Sequence, residues 1–155
     1  MQMNAEDDLM LLSEDDPDAH PLAETWHILV VDDDDDVHVA TEFSLKRVTI
    51  RQRPLRFTHA SSGAEAIALL ERHDDVHLLL LDMVMERPDA GLEVARWLRE
   101  EAGRRELPTI VLRSGQPGTL ANSEVLGNPH INAFIEKQSA TREVLIQLLT
   151  QHLKA

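Results

Sequence analysis

Four consecutive leucines, Leu78 to Leu81, run straight into an acid in the stretch "VHLLLLD". The run lacks polar alternation and is too short for an ordinary helix, so it reads as a β-strand covered on both faces. A strand of that kind needs a layer of helices on each side of its sheet. The rest of the chain supplies them. "HILVV" is a second short apolar run, followed by "VHVATEFSLKRV" with apolar residues at helical spacing. A basic loop, "TIRQRP", leads to a strand "LRFTHA" and a helix "SSGAEAIALLERH", where Ser62 and Glu65 have the capping-box spacing. After "VHLLLLD" come a helix "GLEVARWLREEA", a strand "TIVLR", a weakly coded helix "TLANSEVLGNPH", a strand "INAFIEK" and an amphipathic helix "ATREVLIQLLTQHLK". Strand then helix, repeated five times, predicts an α/β fold: a doubly wound five-stranded parallel sheet with helices on both faces.

Residues 1–25 stand apart from this pattern. They are rich in acid, end in prolines and hold one apolar cluster, Leu9 to Leu12. A disordered acidic tail is expected there, with a short helix docking on the domain or on a partner as the alternative. The folded domain is expected over 26–155. The formal net charge of −13 argues against binding of nucleic acid or an anionic membrane by this domain. The absence of cysteine removes disulfides, thiolate metal sites and cysteine nucleophiles together. No apolar run approaches membrane-spanning length, and the N-terminus is acidic rather than signal-like, which predicts a cytoplasmic protein.

In doubly wound sheets ligands bind at the carboxyl ends of the strands. Here those ends carry Asp32 and Asp33, Asp82, Ser114 and Lys137, each just past an apolar run. Three carboxylates held close repel one another. A divalent cation relieves that cost, and an all-oxygen set suits Mg²⁺. Lysine adds a compact positive charge and serine a hydroxyl donor. The combination suits an incoming phosphoryl group, whose phosphorus a carboxylate attacks in line. The remaining acids of "ILVVDDDDDV", Asp34 to Asp36, suit the positive end of a helix dipole and need no further duty.

Four pieces, "VVDD", "LLLLDMVM", "RSG" and "FIEK", stand in the order and roughly the spacing of the receiver domain of two-component response regulators, which the chain resembles from about Trp26 to Leu153. The resemblance implies a flavodoxin-like strand order, 2-1-3-4-5. It implies that Asp82 is the phosphoacceptor, that Asp33 and Asp82 bind Mg²⁺ directly, and that Asp32 helps through water. The Val84 backbone carbonyl completes the ligands. Ser114 becomes the switch hydroxyl, Phe134 the switch aromatic, and Lys137 the partner of the phosphoryl group. The implied partners are a histidine kinase or phosphotransfer protein, and an output domain or downstream protein. A homodimer through the fourth helix is left open. The function implied is a signalling switch rather than an enzyme. The stretches around "DAGL" and "RSGQPG" look like receivers found in front of HD-GYP cyclic-di-GMP phosphodiesterases, although no such output domain is present in this chain.

The chain departs from the family at Glu86, where proline is usual, in a loop to Gly91 one residue longer than usual, and at Gln138 after Lys137. Arg113 competes with Ser114 for the switch position; only serine offers a hydroxyl. Two other functions stay on the table. One is a receiver-like interaction module that is not phosphorylated. The other is a haloacid-dehalogenase-type phosphatase with Asp33 as nucleophile, since Asp33-x-Asp35-x-Val37 matches that family's D-x-D-x-[TV] loop. His38, His73 and His77 are expected to be surface or packing histidines, and Arg51, Arg53 and Arg56 a solvated basic patch.

Overall fold

Leu78 to Leu81 are wholly buried, and alternate members of the run face opposite layers. Leu79 and Leu81 pack with Leu29, Val31, Ile110 and Leu112. Leu78 and Leu80 pack with Ile28, Val30 and Val111. Each fully buried leucine contributes ~2 kcal/mol of transfer free energy, so neither face tolerates a polar residue. This double burial is the reason the strands show no polar alternation.

A computed structural model describes residues 24–103, 107–115 and 128–154. In chain order it shows β1 (Trp26–Val31), α1 (Asp35–Ser44), β2 (Thr49–Ile50), β3 (Arg53–Ala60), α2 (Gly63–Arg72), β4 (Leu78–Asp82), α3 (Ala90–Glu100), β5 (Thr109–Ser114), β6 (Ala133–Glu136) and α4 (Arg142–His152). The sheet order is β2-β3-β1-β4-β5-β6. β3, β1, β4, β5 and β6 are mutually parallel neighbours. They reproduce the expected order 2-1-3-4-5, with β2 as an addition at the edge.

That addition corrects the expected five-stranded sheet to six strands. β2 pairs antiparallel with β3 through Thr49↔Pro54 and Ile50↔Arg53. The two-residue turn between them is made by Arg51 and Gln52 at φ 51 and 70. Such turns normally announce themselves with asparagine or glycine, and "TIRQRP" has neither. The arginines are likewise not a solvated patch. Arg51 Nε donates to the Leu153 carbonyl at 2.9 Å and Nη2 to Thr150 at 3.0 Å, satisfying the end of α4. Arg53 donates to the Thr25 carbonyl and lies over the Trp26 ring at 3.8 Å. Arg56 pairs with Asp75 at 2.6 Å.

Side-chain caps set the helix starts. Asp34 accepts from the Asp36 N–H at 2.9 Å, and Asp35 and Asp36 fill the first turn of α1. Ser62 accepts from the Glu65 N–H at 3.0 Å at the start of α2. α2 and α3 cover one face of the sheet and α1 and α4 the other, as their buried residues show: Ala66, Leu70, Val94 and Leu98 in one layer, Leu45, Leu145 and Leu149 in the other. No helix among the described residues is long and apolar enough to cross a membrane. The acidic segment, apart from residues 24 and 25, and most of the weakly coded helix over 119–130 lie outside the described residues.

Candidate functional site at the carboxyl edge of the sheet

Because the five longer strands are parallel, their carboxyl ends share one edge. β1 ends at Val31, and the next two residues diverge: Asp32 is buried and Asp33 exposed. β4, beside β1, ends in the buried Asp82. The carboxylates of Asp32, Asp33 and Asp82 each offer an oxygen, and the three oxygens lie within 4.8 Å of one another. Lys137 follows β6 in a short 3-10 turn and reaches across the edge. Its Nζ is 2.8 Å from Asp32 Oδ2 and 3.4 Å from Asp82 Oδ2. The other Asp32 oxygen accepts the Asp34 N–H at 2.9 Å, which folds the chain back over the site.

The charges interact strongly. Burial, then the Asp32 carboxylate, push the Asp82 carboxyl up from 3.8 to about 6, against the pull of Lys137 and a bond from the Val84 N–H. Burial works against the Lys137 charge, but its bond to Asp32 and the fields of both acids hold its pKa above the ordinary 10.5. Three close carboxylate oxygens at one edge of the sheet form a hard donor set of the kind that suits Mg²⁺.

The loop after β4 is held by two contacts. Gly91 opens α3 against the strand end, where a Cβ would stand 2.2 Å from the Asp82 carbonyl oxygen. Only glycine fits this approach, and its N–H donates to the Met83 carbonyl at 3.0 Å. Glu86 reaches over to α2. Its carboxylate accepts the Gly63 N–H at 2.9 Å and the Ala64 N–H at 3.2 Å, two donors that the helix itself cannot pair. Burial disfavours its charge, yet these bonds and one from its own N–H hold its pKa below 4.5. Glu86→Ala is expected to lower stability by about 1 kcal/mol in urea unfolding at pH 7. A carboxylate with a depressed native pKa stabilises above its unfolded value, so the gap to wild type should close as pH falls through the native pKa. A gap that does not narrow at all as the pH is lowered below 4.5 would contradict the capping role.

Ser114 ends β5 and is buried. Phe134, in β6, is half-buried and packs against the layer under α2 and α3. Asp35 is exposed in the first turn of α1, away from the aspartate cluster's three members. Three further residues support the site in ways the sequence did not display. His38 Nε2 donates to the Asp32 carbonyl at 2.8 Å; its Nδ1 faces His59 Nδ1 at 2.6 Å, and His59 Nε2 bonds Glu42 at 2.6 Å. His38 is thus a buttress of Asp32 rather than a loose surface ring. Glu86 is the second support. Arg113 is the third, and its one visible signal is that a cation interrupts the apolar run "TIVL". His77, expected to be a surface or packing histidine, uses Nδ1 to accept the His27 N–H at 2.9 Å.

A family model described as response regulator receiver domain matches residues 28–150. Among curated proteins, the chain is 36% identical over 132 residues to 3'3'-cGAMP-specific phosphodiesterase 2 of Vibrio cholerae serotype O1, covering 85% of this chain and 25% of that protein. The chain therefore spans about a quarter of the length of that relative. Among solved structures it is similar to a response regulator receiver domain protein from Methanospirillum hungatei, with TM-score 0.63, 22% identity and coverage of 82% of this chain and 93% of that one. It is also similar to the signal receiver domain of an HD domain-containing protein from Pseudomonas fluorescens, with TM-score 0.66, 19% identity and coverage of 83% and 94%. At those identities the structural likeness is one of fold.

Proposed function

The chain belongs to the response regulator receiver domain family of two-component signalling, whose members generally bind Mg²⁺ in an acidic pocket, and we propose that it is a phosphorylation-dependent switch with Asp82 as phosphoacceptor. One observation carries this reading. Asp32, Asp33 and Asp82 meet at the sheet edge, and Lys137 bridges two of them. Asp33 and Asp82 would hold Mg²⁺ directly, Asp32 through water, with the Val84 carbonyl completing the protein's ligands. When bound, the ion supplies positive charge against the oxygens of the transferring group.

The chain's own residues do the rest. An Asp82 oxygen attacks the phosphorus of a phosphohistidine on a histidine kinase or phosphotransfer protein; the new P–O bond forms as the P–N bond breaks. Lys137 sheds part of its pairing with Asp82 and neutralises the arriving oxygens. The Ser114 hydroxyl donates to one of them, and Phe134 follows it inward. The face formed by β6 and α4 then changes its preference for a partner. The phosphoryl group biases an existing equilibrium rather than creating a new fold. Val39 and Phe43, one helical turn apart on α1, the helix that follows Asp32 and Asp33 in the chain, are 68% and 77% exposed and offer a phosphodonor protein an apolar contact.

The domain boundaries go with this reading: residues 26–155 form the receiver, preceded by an acidic segment over 1–25. The cyclic-dinucleotide phosphodiesterase named among its relatives suggests the class of output, hydrolysis of a cyclic dinucleotide by an attached or partner domain. Membership of a signalling family favours the switch over the phosphatase alternative.

Incubation with acetyl phosphate and Mg²⁺, followed by borohydride trapping and mass spectrometry, tests the assignment. A single adduct on Asp82, lost when the metal is chelated, is expected. An adduct on Asp33 would instead mark a phosphatase nucleophile. No adduct at all would leave an interaction module that is not phosphorylated.

A further inference from the structure

β5 runs apolar through Ile110, Val111 and Leu112 and then places a guanidinium inside the protein. Arg113 is 2% exposed and stands in register with Asp82 on the adjacent strand. Residues in register on parallel neighbours project to the same face. Arg113 and Asp82 therefore continue the alternation that sends Val111 and Leu80 toward α1 and α4. Arg113 Nη1 donates to Thr41 Oγ1 at 3.1 Å, and that hydroxyl donates onward to the Val37 carbonyl at 2.7 Å. Nε and Nη2 are buried and have no hydrogen-bond partner among the described residues. Arg113 and Lys137 both line the cleft between α1 and α4.

A buried cation without a bonded anion is costly, and an apolar side chain at the same place usually does better for stability. The charge nonetheless has company. Burial opposes it, while the fields of Asp32 and Asp82 favour it. Arginine does not titrate in any ordinary range, so this positive charge is permanent. The cluster thus holds three carboxylates against two fixed cations, one bonded and one acting through space.

We propose that Arg113 is a built-in counter-cation of the aspartate cluster, which relieves carboxylate repulsion in the metal-free protein and by the same charge holds divalent affinity down. The inference rests on reading the cluster as a Mg²⁺ site. A dication entering the cluster meets the guanidinium as a like charge. A phosphoryl group on Asp82 brings further negative charge, and the same guanidinium then favours the loaded state. Arg113 in this way ties metal occupancy to phosphorylation.

Calorimetric titration with MgCl₂ at pH 8 and low ionic strength, on the full chain, compares wild type with Arg113→Met and Arg113→Lys. Methionine keeps an apolar stem and drops the charge; lysine keeps the charge and loses the guanidinium fork. Affinity should rise at least about fivefold in Arg113→Met, the repulsion between a dication and a nearby monocation under water-like screening, and stay within about twofold of wild type in Arg113→Lys. Arg113→Gln repeats the neutral arm if circular dichroism shows that the methionine variant has not folded. Unchanged or weaker affinity in the neutral variants would overturn the inference and leave the Mg²⁺ site standing. Binding by the neutral variants but not by wild type would support the counter-cation and overturn Mg²⁺ loading of the native chain. No binding by any of them would overturn both.

Discussion

Asp82→Asn should abolish phosphoryl uptake and, in EDTA at pH 8, make the protein more stable by about 3 kcal/mol. The first effect removes the attacking carboxylate. The second follows from the position of Asp82, whose side chain is 5% exposed and shares its surroundings with Asp32. The native state holds the Asp82 proton up to about 6, whereas the unfolded chain releases it near 3.8. Between those values the folded protein binds more protons than the unfolded one, so stability falls as pH rises. Above about 6 the whole cost is present, and roughly two pKa units correspond to about 3 kcal/mol. Asparagine resembles the protonated acid and avoids that cost. The advantage of the variant should therefore be small at pH 4 and complete at pH 8 in paired urea titrations. A variant less stable than wild type at pH 8 would mean that the ion pair with Lys137 outweighs burial and the repulsion from Asp32.

The same physics explains why the layers of this fold were readable in the amino-acid order while several supports of the site were not. A strand covered on both faces leaves an uninterrupted apolar run, so "ILVV" and "LLLL" declared themselves without any three-dimensional information. Parallel strands put every carboxyl end at one edge, so an acid or lysine just past each run could be assigned to one place. Asp32, Asp33, Asp82 and Lys137 do meet there. The β2–β3 turn escaped because Arg51 and Gln52 adopt positive φ without the residues that normally mark such a turn. Glu86 escaped because its partners, the first N–H groups of α2, lie more than twenty residues back along the chain. His38 and His59 belong to different elements, and no periodicity says which side chains of a helix and a strand will touch. Charge patterning alone misjudged Arg51, Arg53 and Arg56, whose partners are mostly backbone carbonyls that no composition displays.

Asp33→Asn should weaken Mg²⁺ binding at least about a hundredfold and eliminate labelling by acetyl phosphate, while Asp35→Asn should leave both within about twofold of wild type. The two residues stand two apart in one run of five aspartates, and both are exposed. Bulk electrostatics barely separates them, since either substitution removes one charge from a chain of net −13. Position separates them. Asp33 offers an oxygen within 4.8 Å of oxygens from Asp32 and Asp82, whereas Asp35 fills the first turn of α1 behind its Asp34 cap. Because Asp33 is exposed, its replacement should cost the metal-free fold little, and thermal unfolding in EDTA checks that the loss is one of binding. Calorimetry of the two variants in the same buffer then distinguishes a coordinated ion from a diffuse cation atmosphere. Equal losses in both would mean that Mg²⁺ merely condenses on the acidic run; a loss confined to Asp33→Asn requires a site, one that joins the end of β1 to the end of β4.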